Sequence, residues 1–443
     1  MPKMDKLIIR VNKKILNLAI PNVISNISVP LLGMVDLSIV GHLESENYIG
    51  AIALGGMIFN FIYWNFSFLR MGTSGFTAQA FGARDLKECV AILSRSLMVG
   101  FAGALLLILG QTLIADFSFF LVKGSKEVEF LASQYFLIRI WAAPATIGLY
   151  SLTGWFIGMQ NAKTPMYISI VVNILNILFS LIFVYGFGMK SDGVALGTVI
   201  AQYAGFILAV IMLGRYYKKL FKYWVYSNIM QWEKFVIFFK VNKDIFIRTF
   251  CLIFVFSFFT VQSANSGDTI LAVNTLLLQF FMVFSYLIDG FAYSAESLVG
   301  KLIGARNPVQ LKKVVRLLFL WGLAISLLFT LTYLVAGDKL LFIITNNNNV
   351  IAQTQPYIFW IVFIPLITFA AFLWDGIYIG ALASKGMRNS MLISTILVFL
   401  PVYFLLHPIL ENDGLWLAMN AFMVTRGVTL TIMSKKEIFS KIQ

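Results

Sequence analysis

The chain has 443 residues, of which 59% are apolar and only 12% charged, whereas soluble domains carry about 25% charge; that is too little charge to cover a water-facing surface. The net charge of +14 could suit nucleic acid, but the basic residues fall in short loops between apolar runs, which excludes nucleic acid as a partner. Two cysteines, Cys89 and Cys251, and two histidines, His42 and His407, give no metal-ligand spacing and no disulfide framework, so zinc and haem chemistry are not expected.

The main solvent of such a chain is lipid. Its start, Met1 to Lys14, is basic, but the apolar stretch that follows is long and has no small-residue cleavage site. It reads as a first span rather than a signal peptide. A helix needs about 20 apolar residues to cross a hydrocarbon core of about 30 Å. Twelve segments meet or approach that length: 15–40, 47–71, 94–115, 131–157, 164–187, 193–214, 245–266, 269–295, 315–337, 353–381, 389–410 and 413–434. The Asn346–Asn349 run is too polar for lipid and is read as a loop.

Alternate connections differ sharply in charge. One set, with both chain ends and Arg426 counted at the C-terminal end, holds 28 of the 34 Lys and Arg. The opposite set holds Lys123, Lys126, Lys190 and Lys339. The positive-inside rule then places both termini in the cytoplasm. The longest polar connection lies between spans six and seven, and its Tyr216-Tyr217-Lys218-Lys219 start suits an interfacial belt or surface helix. The expected organisation is a six-helix lobe at 1–214, a basic cytoplasmic linker at 215–243 and a second six-helix lobe at 244–443.

An internal repeat supports that division. At an offset of 222 residues, Phe81-Gly82-Ala83-Arg84-Asp85 falls on Ile303-Gly304-Ala305-Arg306-Asn307. At the same offset Gly154, Gly158 and Lys163 fall on Gly376, Gly380 and Lys385, and after a one-residue slip Asp192-Gly193 falls on Asp413-Gly414. Six spans per half is an even number, so both halves cross the membrane in the same sense. The expected relation is a pseudo-two-fold axis along the membrane normal, which suits alternating access between two lobes. The fold class read from the sequence is therefore an all-α polytopic membrane protein of twelve transmembrane helices.

Specific residues then carry a resemblance. Pro30-Leu31-Leu32-Gly33-Met34-Val35-Asp36 with Gly41-His42-Leu43, Thr77-Ala78-Gln79-Ala80-Phe81-Gly82-Ala83, and Asn173-Ile174-Leu175-Asn176 lie in the first half. Asp289-Gly290-Phe291-Ala292-Tyr293, Asp375-Gly376 and Met387-Arg388-Asn389-Ser390 lie in the second. Taken in this order along nearly the whole chain, they resemble the multidrug and toxic compound extrusion (MATE) family, in its DinF-like branch. The resemblance implies a bacterial inner-membrane exporter, not an enzyme, that acts as a monomer among membrane lipids. It would expel small organic compounds, often cationic, against an inward flow of protons or, alternatively, sodium ions.

Charge at mid-membrane costs roughly 2.5–3.5 kcal/mol on insertion scales, so each such residue needs a reason. Asp36 lies deep along the first span between Val35 and Leu37. It is either at the outer interface or, if Pro21 and Pro30 bend the span, inside the lobe. Desolvation favours the neutral form of a carboxylate, the property that proton coupling needs. The resemblance implies that this Asp works with Asn176 and Thr198 and with a second Asp four residues after Asn176. Ser180 stands at that last position, which weakens the case for sodium and favours protons. Asn173, Tyr135 and Thr153 are candidates to complete the network.

In the second half Asp289, Glu296 and Asp375 are candidates for the cavity, or alternatively for structural ion pairs. Arg70, Arg139 and Arg426 are expected as counter-ions or as snorkelling anchors near the inner face. A lipid-linked oligosaccharide flippase would share the two-lobe architecture but need a basic cavity. The sequence is read as holding few buried basic residues and more buried acidic ones, which favours cationic cargo. No catalytic constellation supports a membrane-embedded enzyme.

Overall fold

The computed structural model describes residues 2–41, 46–121, 125–345 and 347–440. His42, Lys123 and Asn346 lie outside the described residues. With no water in a hydrocarbon core, each spanning segment must satisfy its backbone internally. The described chain accordingly runs as helix after helix: α1 (Pro2–Gly41), α2 (Glu46–Gly82), α3 (Leu86–Leu109), α4 (Gln111–Leu121), α5 (Lys126–Arg139), α6 (Ala143–Gly158), α7 (Lys163–Leu181) and α8 (Ser191–Tyr217). The second half contributes α9 (Tyr226–Ile229), α10 (Trp232–Asn265), α11 (Asp268–Gly304), α12 (Pro308–Ile344), α13 (Asn348–Thr354), α14 (Ile358–Gly380), α15 (Ser384–Leu392) and α16 (Leu400–Ser434).

Among the described residues, eleven continuous segments are long and apolar enough to cross a membrane, with α5 and α6 forming one of them and Ser384–Phe439 the last. That last segment is two spans. At Glu411 the backbone leaves the helix (φ 49°, ψ −123°) and the chain turns back on itself. Gly414 lies so close to the preceding helix that a Cβ there would sit 2.8 Å from the His407 main chain, and the Ser390 and Thr429 hydroxyls meet at 2.6 Å across the turn. The twelve spans expected from hydropathy are therefore present.

Several helices outrun their apolar segments. α2 and α11 continue past 71 and 295 to glycines 82 and 304. The added turns carry small polar residues that are fully enclosed, among them Thr73, Ser74, Thr77 and Ser297. Hydropathy ended both spans too early because it scores such side chains as water-seeking; here their size lets helices approach closely. α10 likewise begins at Trp232 rather than 245. Its added turns bury Phe238 and leave Trp232, Val236, Ile237 and Phe239 exposed alongside Lys234 and Lys240.

The chain divides by contact into two compact units, 24–239 and 1–23 with 240–443. Within the first, the connection after α8 is fastened to α3. Arg95 donates from Nη2 to the Asn228 carbonyl (2.6 Å), from Nε to the Ile229 carbonyl (3.0 Å) and from Nη1 to Glu88 Oε1 (2.9 Å).

The repeat is written into the packing of each unit. On α6, a Cβ at Gly154 would strike the Arg70 carbonyl of α2, and one at Gly158 would lie 2.7 Å from the Ser74 carbonyl and 3.0 Å from the Ala78 amide. On α14, a Cβ at Gly376 would strike the Ala292 carbonyl of α11, and one at Gly380 would meet the Glu296 carbonyl and the Gly300 amide. All of these positions are displaced by the same 222 residues. The turns repeat as well: Arg84 and Arg306 have φ of 61° and 50°, and Gln160 and Leu382 have 65° and 52°. Asp85 and Asn307 then cap the next helix, accepting from Glu88 N (2.9 Å) and Gln310 N (3.0 Å).

Candidate functional site

In the first unit two polar groups lie within a shell of apolar side chains. The first joins α1, α2 and α5. Val35 and Ile39 on α1 pack into the cluster that holds Phe59 and Tyr63 of α2 and Tyr135 and Phe136 of α5, and Asp36 lies between them in the chain. Its Oδ1 is shielded from solvent and has no hydrogen-bond partner among the described residues. Arg139, one turn beyond Tyr135, donates to the Tyr135 hydroxyl. Its guanidinium lies 4.9 Å from the centre of the Phe59 ring and 5.4 Å from that of Tyr135, within cation–π range. Arg139 acts electrostatically on Asp36, yet no direct ion pair joins them among the described residues. The anchor role expected for Arg139 does not hold, because its head is turned onto aromatic rings instead of reaching for a headgroup.

The second group lies between α7 and α8. Asn176 Nδ2 donates to Thr198 Oγ1 at 2.9 Å, and that hydroxyl donates to the Val194 carbonyl at 3.0 Å. Asn176 Oδ1 and Ser180 Oγ are buried without a partner among the described residues. Ser180 is tucked against Gly197, where a Cβ would come within 2.8 Å of its Oγ. Asn173 stands apart from this pair. Its Nδ2 donates to the Ser28 carbonyl (3.1 Å), beside a Ser28–Ser169 hydroxyl contact of 3.1 Å, and so ties α1 to α7. Thr153 is half-buried on α6, with no side-chain bond among the described residues. The structure thus joins Tyr135 to Arg139 and Asn176 to Thr198, while among the described residues no hydrogen bond connects Asp36 to either pair.

In the second unit Asp375 is an ion-paired residue. Arg248 of α10 and Arg426 of α16 both donate to its Oδ2, the latter at 2.6 Å, and all three side chains are buried. Asp289 is half-buried on α11 and acts electrostatically on Arg426. Glu296 is fully enclosed where α11 meets Gly380. One turn before Arg248, Asp244 accepts from Arg388 (2.7 Å) and Ser384 (2.9 Å). Among the described residues no group of three or more His, Cys, Asp or Glu could hold a metal.

These arginines overturn the expected balance of buried charge. Arg70, Arg95, Arg248 and Arg426 are buried, against Asp244, Glu296 and Asp375. Arg70 and Arg426 were expected as counter-ions or anchors, but Arg95 and Arg248 were missed because they sit in stretches counted as cytoplasmic connection, and their partners Ile229 and Asp375 are remote in sequence.

Sequence comparison agrees with this architecture. The MatE family model matches the chain twice, over residues 21–182 and 245–405, once in each half. The chain belongs to the MATE family. It is 35% identical over 429 residues to DNA damage-inducible protein F of Escherichia coli K12, covering 96% of this chain and 92% of that one. It is 21% identical to multidrug export protein MepA of Staphylococcus aureus, covering 91% and 88%. Among solved structures, the Vibrio cholerae MATE transporter VcmN in the bent form superposes with a TM-score of 0.88 at 17% identity, over 98% of both chains. A MOP superfamily transporter from Pyrococcus furiosus, described as having a binding pocket of reversed polarity, superposes at 0.83 with 19% identity, over 98% and 96%. As a MATE protein the chain is a multi-pass membrane transporter, not an enzyme. The family moves small organic compounds and draws on ion gradients.

Proposed function

We propose that this MATE protein exports organic cations across the bacterial inner membrane in exchange for protons, by alternating access between its two halves. Both termini are placed in the cytoplasm by the charge asymmetry of the connections, and the unit of function is a monomer. Asp36 is the coupling residue, with Asn176, Ser180 and Thr198 as the neighbouring polar group and Asp289 facing the cargo path.

The observation that carries this reading is the state of Asp36. One oxygen of its carboxylate, Oδ1, is shielded from water and lacks a partner among the described residues, in a lobe where Ser180 stands in place of the second carboxylate. A sodium ion keeps its full charge and wants several oxygen ligands. A proton needs one titratable group, and Asp36 supplies it.

The flippase reading is the weaker one even with four buried arginines. Arg248 and Arg426 share Asp375, and Arg95 is held by Glu88 and two carbonyls. These are engaged cations, not a row open to a pyrophosphate. The test is transport in inverted vesicles. Asp36→Asn is expected to insert normally and to lose proton-driven efflux. Normal export by that variant, or wild-type transport that follows an imposed sodium gradient and ignores the pH gradient, would refute the assignment.

A further inference from the structure

Arg139 has no place in the coupling scheme so far, yet among the described residues it is the cation that acts electrostatically on the proposed coupling carboxylate. It is built in from three sides. The Tyr135 hydroxyl accepts from it, the Phe59 ring lies under its guanidinium, and the apolar cluster around Phe136 and Ile140 surrounds the site. The charged and titratable groups facing it and Asp36 are Tyr135 on α5 and Tyr63 on α2, with Tyr150 of α6 beside Tyr63. No second cation is among them. A guanidinium serving only as a structural tie would close on the carboxylate and satisfy Asp36 Oδ1. Instead the two charges feel each other without a direct ion pair among the described residues, and Oδ1 has no partner there.

We infer that Arg139 is a specificity-determining residue that fixes the net charge of the first half's site and so makes cation binding and proton binding mutually exclusive. The inference rests on the reading of Asp36 given above. With Asp36 ionised, Asp36 and Arg139 together are neutral, and a lipophilic cation meets no net repulsion. With Asp36 protonated, the fixed guanidinium leaves the site at +1 and the cation is expelled. The same +1 disfavours sodium in that state. Arg139 therefore does not take up the proton; it turns uptake of the proton into release of the cargo.

The magnitude follows from Coulomb's law. A unit charge about 8–10 Å from the cargo, at an effective dielectric constant of about 20, changes a cation's affinity by about 15- to 30-fold. The experiment is equilibrium binding to the full-length protein in nanodiscs, at pH 8. The probes are tetraphenylphosphonium and its uncharged analogue triphenylphosphine oxide. Arg139→Gln is expected to bind the cation at least about tenfold more tightly and the neutral probe within about twofold of wild type. Arg139→Lys is expected to match wild type, and Asp36→Asn to weaken the cation alone. Should Arg139→Gln fail to fold, the double variant Asp36→Asn/Arg139→Gln carries the same comparison, and must bind the cation more tightly than Asp36→Asn by the same factor. A change that affects both probes equally, or an Arg139→Lys variant that behaves like Arg139→Gln, overturns the inference, since charge would then not be what Arg139 supplies. Proton-driven efflux that survives in Asp36→Asn vesicles refutes the coupling assignment instead, and does so independently of the binding data.

Discussion

Adding one methyl group at Gly376 tests whether the repeated glycine contacts hold the helices together. The new Cβ would land on the Ala292 carbonyl group, with the Ala292 Cα also 2.9 Å away. Main-chain atoms inside a helix cannot step aside as a flexible side chain can, so α14 and α11 must move apart. Overpacking of this kind costs about 1–3 kcal/mol. The substitution also gains up to about 1 kcal/mol because alanine favours the helix over glycine. Gly56→Ala isolates that second effect, since nothing lies within 4 Å of a Cβ on Gly56 in α2. The difference between the two variants is then the overpacking cost itself. At about 2–4 °C per kcal/mol for a unit of 150–250 residues, thermal unfolding in detergent should place Gly376→Ala roughly 2–12 °C below Gly56→Ala. Gly154→Ala, which meets the Arg70 carbonyl in the equivalent place, should fall in the same range. Equal midpoints for Gly376→Ala and Gly56→Ala would show that the close approach does not constrain the packing.

Two other outcomes are expected. Reporter fusions after Gly214 or at the C-terminus should report the cytoplasm and fusions after His42 the opposite side, as the charge asymmetry requires; a C-terminus outside would refute the twelve-span topology. Asp375→Asn should destabilise the protein by about 3–5 kcal/mol, because it leaves Arg248 and Arg426 buried without their shared counter-charge. Asp289→Asn, at a half-buried position, should lose far less, and equal losses in a denaturant or thermal series would remove Asp375 from its place as the keystone of that cluster.

What could be read from the sequence was whatever is encoded locally or by duplication. Hydropathy marks spans because lipid exposure acts on runs of about 20 residues, and the glycine repeat marks helix crossings because only the smallest residues permit them. The Asn176–Thr198 bond spans 22 positions across one hairpin, and the resemblance to the family was enough to suggest it. Arg248 meets Asp375 across 127 positions and Arg426 meets it across 51. No local pattern announces a partner that far away, so Arg248 reads as connection, and Arg426 as an anchor or as a counter-ion with no partner assigned, until the helices are assembled. Arg139 was obscured for a related reason. Arginine near a span end suggests snorkelling, and only the inward placement of Phe59 and Tyr135 shows that the head turns inward.

The two halves have kept their shared backbone crossings but differ in their buried charges. At the 222-residue offset Asp36 corresponds to Phe258 and Arg139 to Ile361, while Thr153 corresponds to Asp375 and Ser74 to Glu296. The buried hydroxyl chain of the first half, Thr73 to Ser96 at 2.6 Å and Ser96 to Ser151 at 2.8 Å, corresponds to Ala295, Leu318 and Leu373. Where helices meet main chain to main chain, any side chain is excluded and glycine stays. Where side chains face one another, several solutions pack equally well and the halves are free to diverge. One half holds a carboxylate with one oxygen unmatched among the described residues and, without a direct ion pair to it there, a guanidinium bonded to the Tyr135 hydroxyl. The other has two guanidinium groups closed on one carboxylate, where the positive charges already hold the negative one.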